Sequence, residues 1–330
     1  MKKPTKIALI TASIFILCGL AFCVASLAVS DGDWMAYQNG GSYVRKEQAF
    51  EADAISAIRL SELSADVRFE KSVDDDLHIT YHESEKVFYD IETASDGTLS
   101  VTYRSNRKWY DFIGFHIDSR DHAIVISVPD GFSGNISAKL SSGDLRITGF
   151  TLDGSLTAES TSGDVWISDF ICTGDMKIQQ TSGDFEGQKL AVASLSLTHT
   201  SGDIEIDGLE AGGLSLTSVS GDIEVENSNI LSDCTLHSTS GELSLSDMQI
   251  GGRLTCGSTS GDIEAERISL AEASLSSTSG DIHATILGTS ADHRVEAKTT
   301  SGRIRIPENG NGARTIQVET TSGNISVYFR

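Results

Sequence analysis

Basic residues are scarce. Against 47 Asp plus Glu the chain carries 25 Lys plus Arg, a formal charge of −22 over 330 residues. A surface of that sign repels phosphate backbones and argues against general nucleic-acid binding. Proline is nearly missing: 3 Pro beside 31 Gly exclude a proline-rich linker protein. Five Cys over this length form no disulfide framework. There is no nucleophile elbow, zinc-protease helix, phosphate loop or calcium-binding nonapeptide β-roll motif. With 39% hydrophobic and 22% charged residues the chain still buries a core, so wholesale disorder is excluded as well.

What is present begins at the amino terminus. Lys2, Lys3 and Lys6 precede Ile7 to Val29, 23 residues without a charge, and Asp31 and Asp33 follow. About 20 apolar residues span a bilayer, and basic residues on one flank predict a cytoplasmic amino terminus with everything after Ser30 outside. A cleaved signal peptide is the rival reading, through the small-x-small site Ser26-Leu27-Ala28. Its apolar region normally runs roughly 7 to 15 residues, so the length favours an uncleaved anchor. Leu17 and Phe22 precede Cys18 and Cys23 where a lipoprotein site wants a small residue.

A glycine after serine, usually within Thr-Ser-Gly-Asp, recurs at Gly143, Gly163, Gly183, Gly202, Gly221, Gly241, Gly261, Gly280, Gly302 and Gly323, in steps of 19 to 22 residues. Ten copies at this period predict a solenoid in which each unit buries its apolar edge by stacking on the next. With each glycine as zero, apolar residues fall at minus seven and minus five, plus two and plus four, plus seven and plus nine. One coil shows Leu195, Leu197, Ile204, Ile206, Leu209 and Ala211; another shows Leu254, Cys256, Ile263, Ala265, Ile268 and Leu270. Spacing by two means strands with alternate side chains inward, so each coil is two strands and a shorter third. The glycine turns the corner between the first two. Adjacent rungs are expected about 4.8 Å apart.

Cys172, Cys234 and Cys256 fall in inward columns and read as small core residues. Cys234 and Cys256 are two positions out of step on neighbouring coils, roughly 8 Å apart by their Cα atoms, beyond the reach of a relaxed disulfide. Before the repeats, Ala57 to Leu60, Asp66 to Phe69, Leu77 to Tyr81, Leu99 to Tyr103 and Ala123 to Val128 alternate like strands and predict irregular first coils and a cap. Pro129, Arg303 and Arg305 suit the exposed ends of a stack. The aromatic insert 108–115 reads as part of a packed cap. The expected organisation is an anchor over residues 1–30, a β cap with first coils over 31–135 and solenoid repeats over 136–330.

The Thr-Ser-Gly-Asp-Ile repeats, the segments Ile58 to Phe69 and Ile124 to Pro129, and the single amino-terminal anchor together resemble the domain-of-unknown-function β-strand-repeat family labelled "putative adhesin", which includes LiaG-like bacterial envelope proteins. The resemblance covers roughly residues 50 to 330. It implies a bacterial envelope protein with a role in adhesion or envelope stress, and it supplies no catalytic residues.

Outward positions plus one, three and five are acidic in the middle coils: Asp203, Glu205 and Asp207; Asp222, Glu224 and Glu226; Asp262, Glu264 and Glu266. Glu242, Ser244 and Ser246 thin the pattern between them. Like charges about 5 Å apart repel by roughly 1 kcal/mol in water, so the ladder is a candidate face for cations or a basic partner. The plainer reading is that each Asp at plus one caps a corner while the glutamates keep the surface soluble. A closed calcium cage is not formed by such a comb. On the preceding strand the outward columns are Ser and Thr, as in Ser196, Thr198, Thr200, Ser215 and Thr217; Lys139, Glu159, Lys177, Glu296 and Lys298 interrupt them, which argues against an ice-matching face. His199, His237 and His283 share no column, and His78 and His82 lie on one strand face without a third ligand nearby.

The sequence therefore predicts an all-β parallel β-solenoid of about ten 20-residue coils, with an irregular β cap, behind one transmembrane helix. Its expected role is non-enzymatic: an interaction, adhesion or scaffold module at the cell envelope. It would be single-pass with the carboxy-terminal domain extracytoplasmic and no cofactor, its partners being the membrane, envelope polymers, cationic ligands or envelope proteins. The rival is an envelope polysaccharide lyase or hydrolase on the same fold.

Overall fold

The computed structural model describes residues 15, 16, 19, 43–106 and 122–330. The predicted anchor lies outside the described residues save for Phe15, Ile16 and Gly19, which are helical, and the aromatic insert 108–115 lies wholly outside them. Among the described residues no helix is long and apolar enough to cross a membrane. Two compact units are present, one of residues 45–82, 89–104 and 122–330, the other including the described residues 43, 44, 83–88, 105 and 106. In the second, Ser84 N–H donates to Val87 O at 2.8 Å and Asn106 N–H to Lys86 O at 3.0 Å.

The larger unit is an all-β parallel solenoid of about ten turns. Alternation builds it: along Ile204–Ser220 the side chains of Ile204, Ile206, Leu209, Leu214 and Leu216 are buried, while Glu205, Asp207, Ser215 and Thr217 are exposed. Parallel pairing sets equivalent positions opposite one another, so that Leu197 faces Leu216, Leu216 faces Leu236 and Leu236 faces Cys256, all buried. This is the inward column that the spacing predicts. Cys234 opposes Leu254 and not Cys256, and both thiols are free. Burial pushes the Cys234 thiol up to about 12 and holds that of Cys256 well above its ordinary value, so neither is a nucleophile at neutral pH.

The corner needs glycine twice over. Gly221 has φ 116°, and a Cβ there would collide with the carbonyl oxygen of Gly202 on the coil before. Positive φ and close stacking act together, which explains why the motif tolerates change around the glycine and not at it.

A second corner, six residues after the glycine, is not marked by any one residue type. Asp169, Lys189, Asn227, Asp247 and Arg267 all take φ between 47° and 55° there, and Gly149 and Gly208 fill the same place in other coils. Neighbours along this column bond one another: Lys189 Nζ approaches Asp169 Oδ1 at 3.5 Å, and Arg267 Nε donates to Asp247 Oδ1 at 2.6 Å.

Coils do not stack in sequence order at the ends. Ala57–Glu62 lies between Thr98–Ser105 and Asn135–Ser142, and Val67–Lys71 lies between Ile124–Val128 and Leu145–Thr148. Asp76–Glu83 then pairs antiparallel with Ile124–Val128, setting Ile79 opposite Ile126. At the other end Glu272–Ser279 and Ile282–Ile286 pair with Arg314–Ser322 and Ile325–Phe329, which in turn carry His293–Ser301 and Ile304–Arg305. The last coil of the chain is therefore slotted one place in from the end, and so is the first. A terminal strand with neighbours on both sides does not fray, and the rung left outermost is bounded by loops on both ends. Arg303 and Arg305 do fall on the outermost rung.

Candidate functional site

The second strand of each coil points its plus-two and plus-four side chains into the core and its plus-one, plus-three and plus-five side chains outward. Parallel register then turns each outward position into a column. The plus-three column runs Arg68, Arg146, Trp166, Glu186, Glu205, Glu224, Ser244, Glu264, His283, Ser326, Arg305, each opposite the next. Its charge changes from basic to acidic and back.

The nine candidate residues divide by column. At plus one, Asp203 Oδ1 accepts the backbone N–H of Asp222 at 2.8 Å, Asp222 Oδ1 that of Glu242 at 2.8 Å, and Asp262 Oδ1 that of Asp281 at 2.7 Å. The same bond links Asp66 to Asp144, then Asp164, Asp184 and Asp203, and beyond Asp281 it passes to Asn324 and Arg303. These aspartates fasten one coil to the next, rather than closing their own corner. The bond from Asn324 holds the Asp281 carboxyl below the ordinary value.

At plus five the carboxylates also have partners. Asp207 Oδ1 accepts from Asn227 Nδ2 at 2.8 Å, Glu226 Oε1 from Ser246 Oγ at 2.9 Å, and Glu266 Oε2 pairs with Arg267 Nη1 at 2.9 Å.

Plus three is different. No ion pair among the described residues involves Glu205, Glu224 or Glu264, and Glu205 and Glu224 stand directly opposite each other. Glu186 stands opposite Glu205 and lengthens the run to three consecutive rungs. It occupies the same offset from Gly183 and escaped the sequence reading because its coil lacks a carboxylate at plus five, where Gln188 stands. Burial first, then repulsion from Glu226 and Glu205, raises the Glu224 carboxyl. Burial, then Glu264 and Asp222, raises Glu242. Among the described residues no group of three or more His, Cys, Asp or Glu is placed to hold a metal ion. His78 Nε2 bonds Asp74 Oδ1 at 2.8 Å, and the His82 ring packs on His122 with centroids 5.3 Å apart. The arrangement can screen its charge with mobile cations or dock a basic chain.

Behind the corner runs a buried polar column three residues before most of the glycines. His199 Nε2 bonds the carbonyl of Gly183 at 2.8 Å and Gln180 Nε2 that of Gly163 at 2.9 Å. Ser277 and Thr320 do the same with their hydroxyls to Gly261 and Gly280. Burial pushes the His199 imidazole below its ordinary value. This column is structural.

The family model described as Toastrack DUF4097 matches residues 55–328. No curated protein matches the chain. Among solved structures it is similar to a "putative adhesin" from Bacteroides fragilis, 14% identical, with 86% of this chain and 97% of that one covered and a TM-score of 0.40. It is similar also to a "putative lipid binding protein" from Parabacteroides distasonis, 17% identical over 87% of this chain and 98% of that one, with a TM-score of 0.41. A "putative adhesin" from Parabacteroides merdae is 17% identical over 88% of this chain and 97% of that one, with a TM-score of 0.36.

Proposed function

The chain belongs to the Toastrack DUF4097 family, and on that footing we propose that it is a non-enzymatic interaction module of the bacterial envelope whose acidic plus-three column takes up a polycationic partner. The uncharged run from Ile7 to Val29 would anchor it, with the solenoid extracytoplasmic. Adhesion or scaffolding under envelope stress is the role such a module would serve.

The observation that carries the reading is the register of Glu186, Glu205 and Glu224 on consecutive rungs, none of them in an ion pair among the described residues. Carboxylates facing one another at the rung spacing repel, and a frame bonded from coil to coil prevents them from spreading apart. A basic chain laid across the rungs relieves that repulsion.

The test is binding of fluorescent tetralysine to the full chain, run beside turnover of a labelled polysaccharide. Saturable binding is expected in low salt, weakened about tenfold or more by the triple change Glu186→Gln, Glu205→Gln and Glu224→Gln and by added salt. Polysaccharide turnover abolished by a single carboxylate substitution would overturn the reading in favour of an enzyme.

A further inference from the structure

Where the plus-three column passes from basic to acidic, a concavity of about 340 Å³ is lined by Asp144, Leu145, Arg146, Asp164, Trp166 and Glu186. Trp166 is half-buried, and the guanidinium carbon of Arg146 stands 4.7 Å from its ring centroid. Arg146 forms no ion pair among the described residues although three carboxylates rim the same hollow. Those carboxylates are held in place: Asp144 Oδ1 accepts the N–H of Asp164 and Asp164 Oδ1 that of Asp184, both at 2.9 Å, and Glu186 Oε1 accepts from Gln188 Nε2 at 2.7 Å. Each keeps a second oxygen for a ligand.

We propose that this hollow is a saccharide-binding subsite. A pyranose has an apolar C–H face that stacks on an indole and a rim of hydroxyls that both donate and accept. The face of Trp166 that Arg146 does not cover supplies the plane, the three carboxylates supply fixed acceptors, and Arg146 supplies donors. An anion is repelled by the carboxylates and a cation meets Arg146 inside the hollow, so a neutral polyol matches the mixed set better than either. A frame set by coil-to-coil bonds limits the reorganisation needed to bind, which suits a shallow site. The subsite needs no net charge on its ligand and goes beyond the polycation reading.

The experiment titrates the full chain with cellotetraose, chitotetraose and maltotetraose, following the Trp166 indole N–H by NMR. Trp166→Phe identifies that signal among the 3 Trp of the chain. At least one saccharide is expected to shift it saturably at millimolar concentration or below, equally in low and high salt. Trp166→Ala should weaken binding about tenfold or more. Trp166→Tyr, which keeps an aromatic platform, should stay within about threefold of the parent. Both variants should melt with the parent chain, because the ring is only half-buried. The proposal is overturned if none of the three saccharides moves the signal at millimolar concentration, if Trp166→Ala binds as tightly as the parent, or if the binding disappears in high salt. Tetralysine binding that survives Trp166→Ala while saccharide binding is lost would separate the two faces of the account.

Discussion

The Asp203 carboxylate accepts the backbone N–H of Asp222, 19 residues onward and one coil up, at 2.8 Å. The bond recurs at nearly every corner, so the aspartate of the repeat is a fastener between coils. Asp203→Ala leaves that N–H without its protein partner and should destabilise by about 1 kcal/mol, whereas Asp203→Asn keeps an acceptor and most of the stability. Urea unfolding of the two variants checks the difference.

The plus-three glutamates should behave in the opposite way. Glu205→Gln, Glu224→Gln and Glu264→Gln together remove in-register repulsion, so thermal stability should rise in low salt and the gain should shrink as salt is added. An unchanged or lower melting temperature in low salt counts against the face. Acid titration tests Glu224 of that column together with Glu242, the plus-one carboxylate beside it. The folded carboxyls of Glu224 and Glu242 titrate above the unfolded value of 4.5, so the native state takes up their protons first. Their penalty is in force above the folded value and vanishes as pH falls through the window down to 4.5.

His199 supplies the contrary pH response. It is fully buried beside Gln180 and Ser218 of the adjoining coils, and burial holds its imidazole below 6.5 against the weaker opposing pull of Asp184 and Asp203. As pH falls through 6.5 the unfolded chain takes up the proton first, so stability is lost from there downward until the folded imidazole titrates. His199→Gln copies Gln180, which bonds its own corner carbonyl, and should remove this part of the acid sensitivity while keeping the fold. Melting curves between neutral and mildly acid pH measure it.

The outermost rung has its own guard. Asn309 Oδ1 accepts the N–H of Val295 at 3.0 Å and its Nδ2 donates to Val295 O at 3.1 Å, taking the place of a neighbouring strand. Asn309→Ala should bare that edge, and concentration-dependent association by light scattering is the expected result, because an unpaired edge invites another strand.

Much of this was legible in the residues themselves. The inward columns, the glycine corner and the free cysteines follow from spacing by two and a period near twenty, because a parallel stack forces equivalent side chains into one environment. The second corner was not, since Asp169, Lys189, Asn227, Asp247 and Arg267 share a backbone conformation and no chemistry. The exchange of coils left only a faint mark at the carboxy-terminal end, in the lengthened steps before Gly302 and Gly323. Which strand pairs with which is decided there by covering the chain ends, and periodicity carries no information about that. The acidic columns were visible, but not their division: a plus-one Asp and a plus-three Glu look alike in sequence, and only the corner N–H within reach of the first tells them apart.

The polycation face is tested most directly at Glu224 itself, by following its side-chain carboxyl carbon through an NMR pH titration with and without tetralysine. The free chain should titrate above 4.5, and bound tetralysine should draw the midpoint down. A midpoint at or below 4.5 in the free chain, or one that tetralysine leaves in place, would contradict the account.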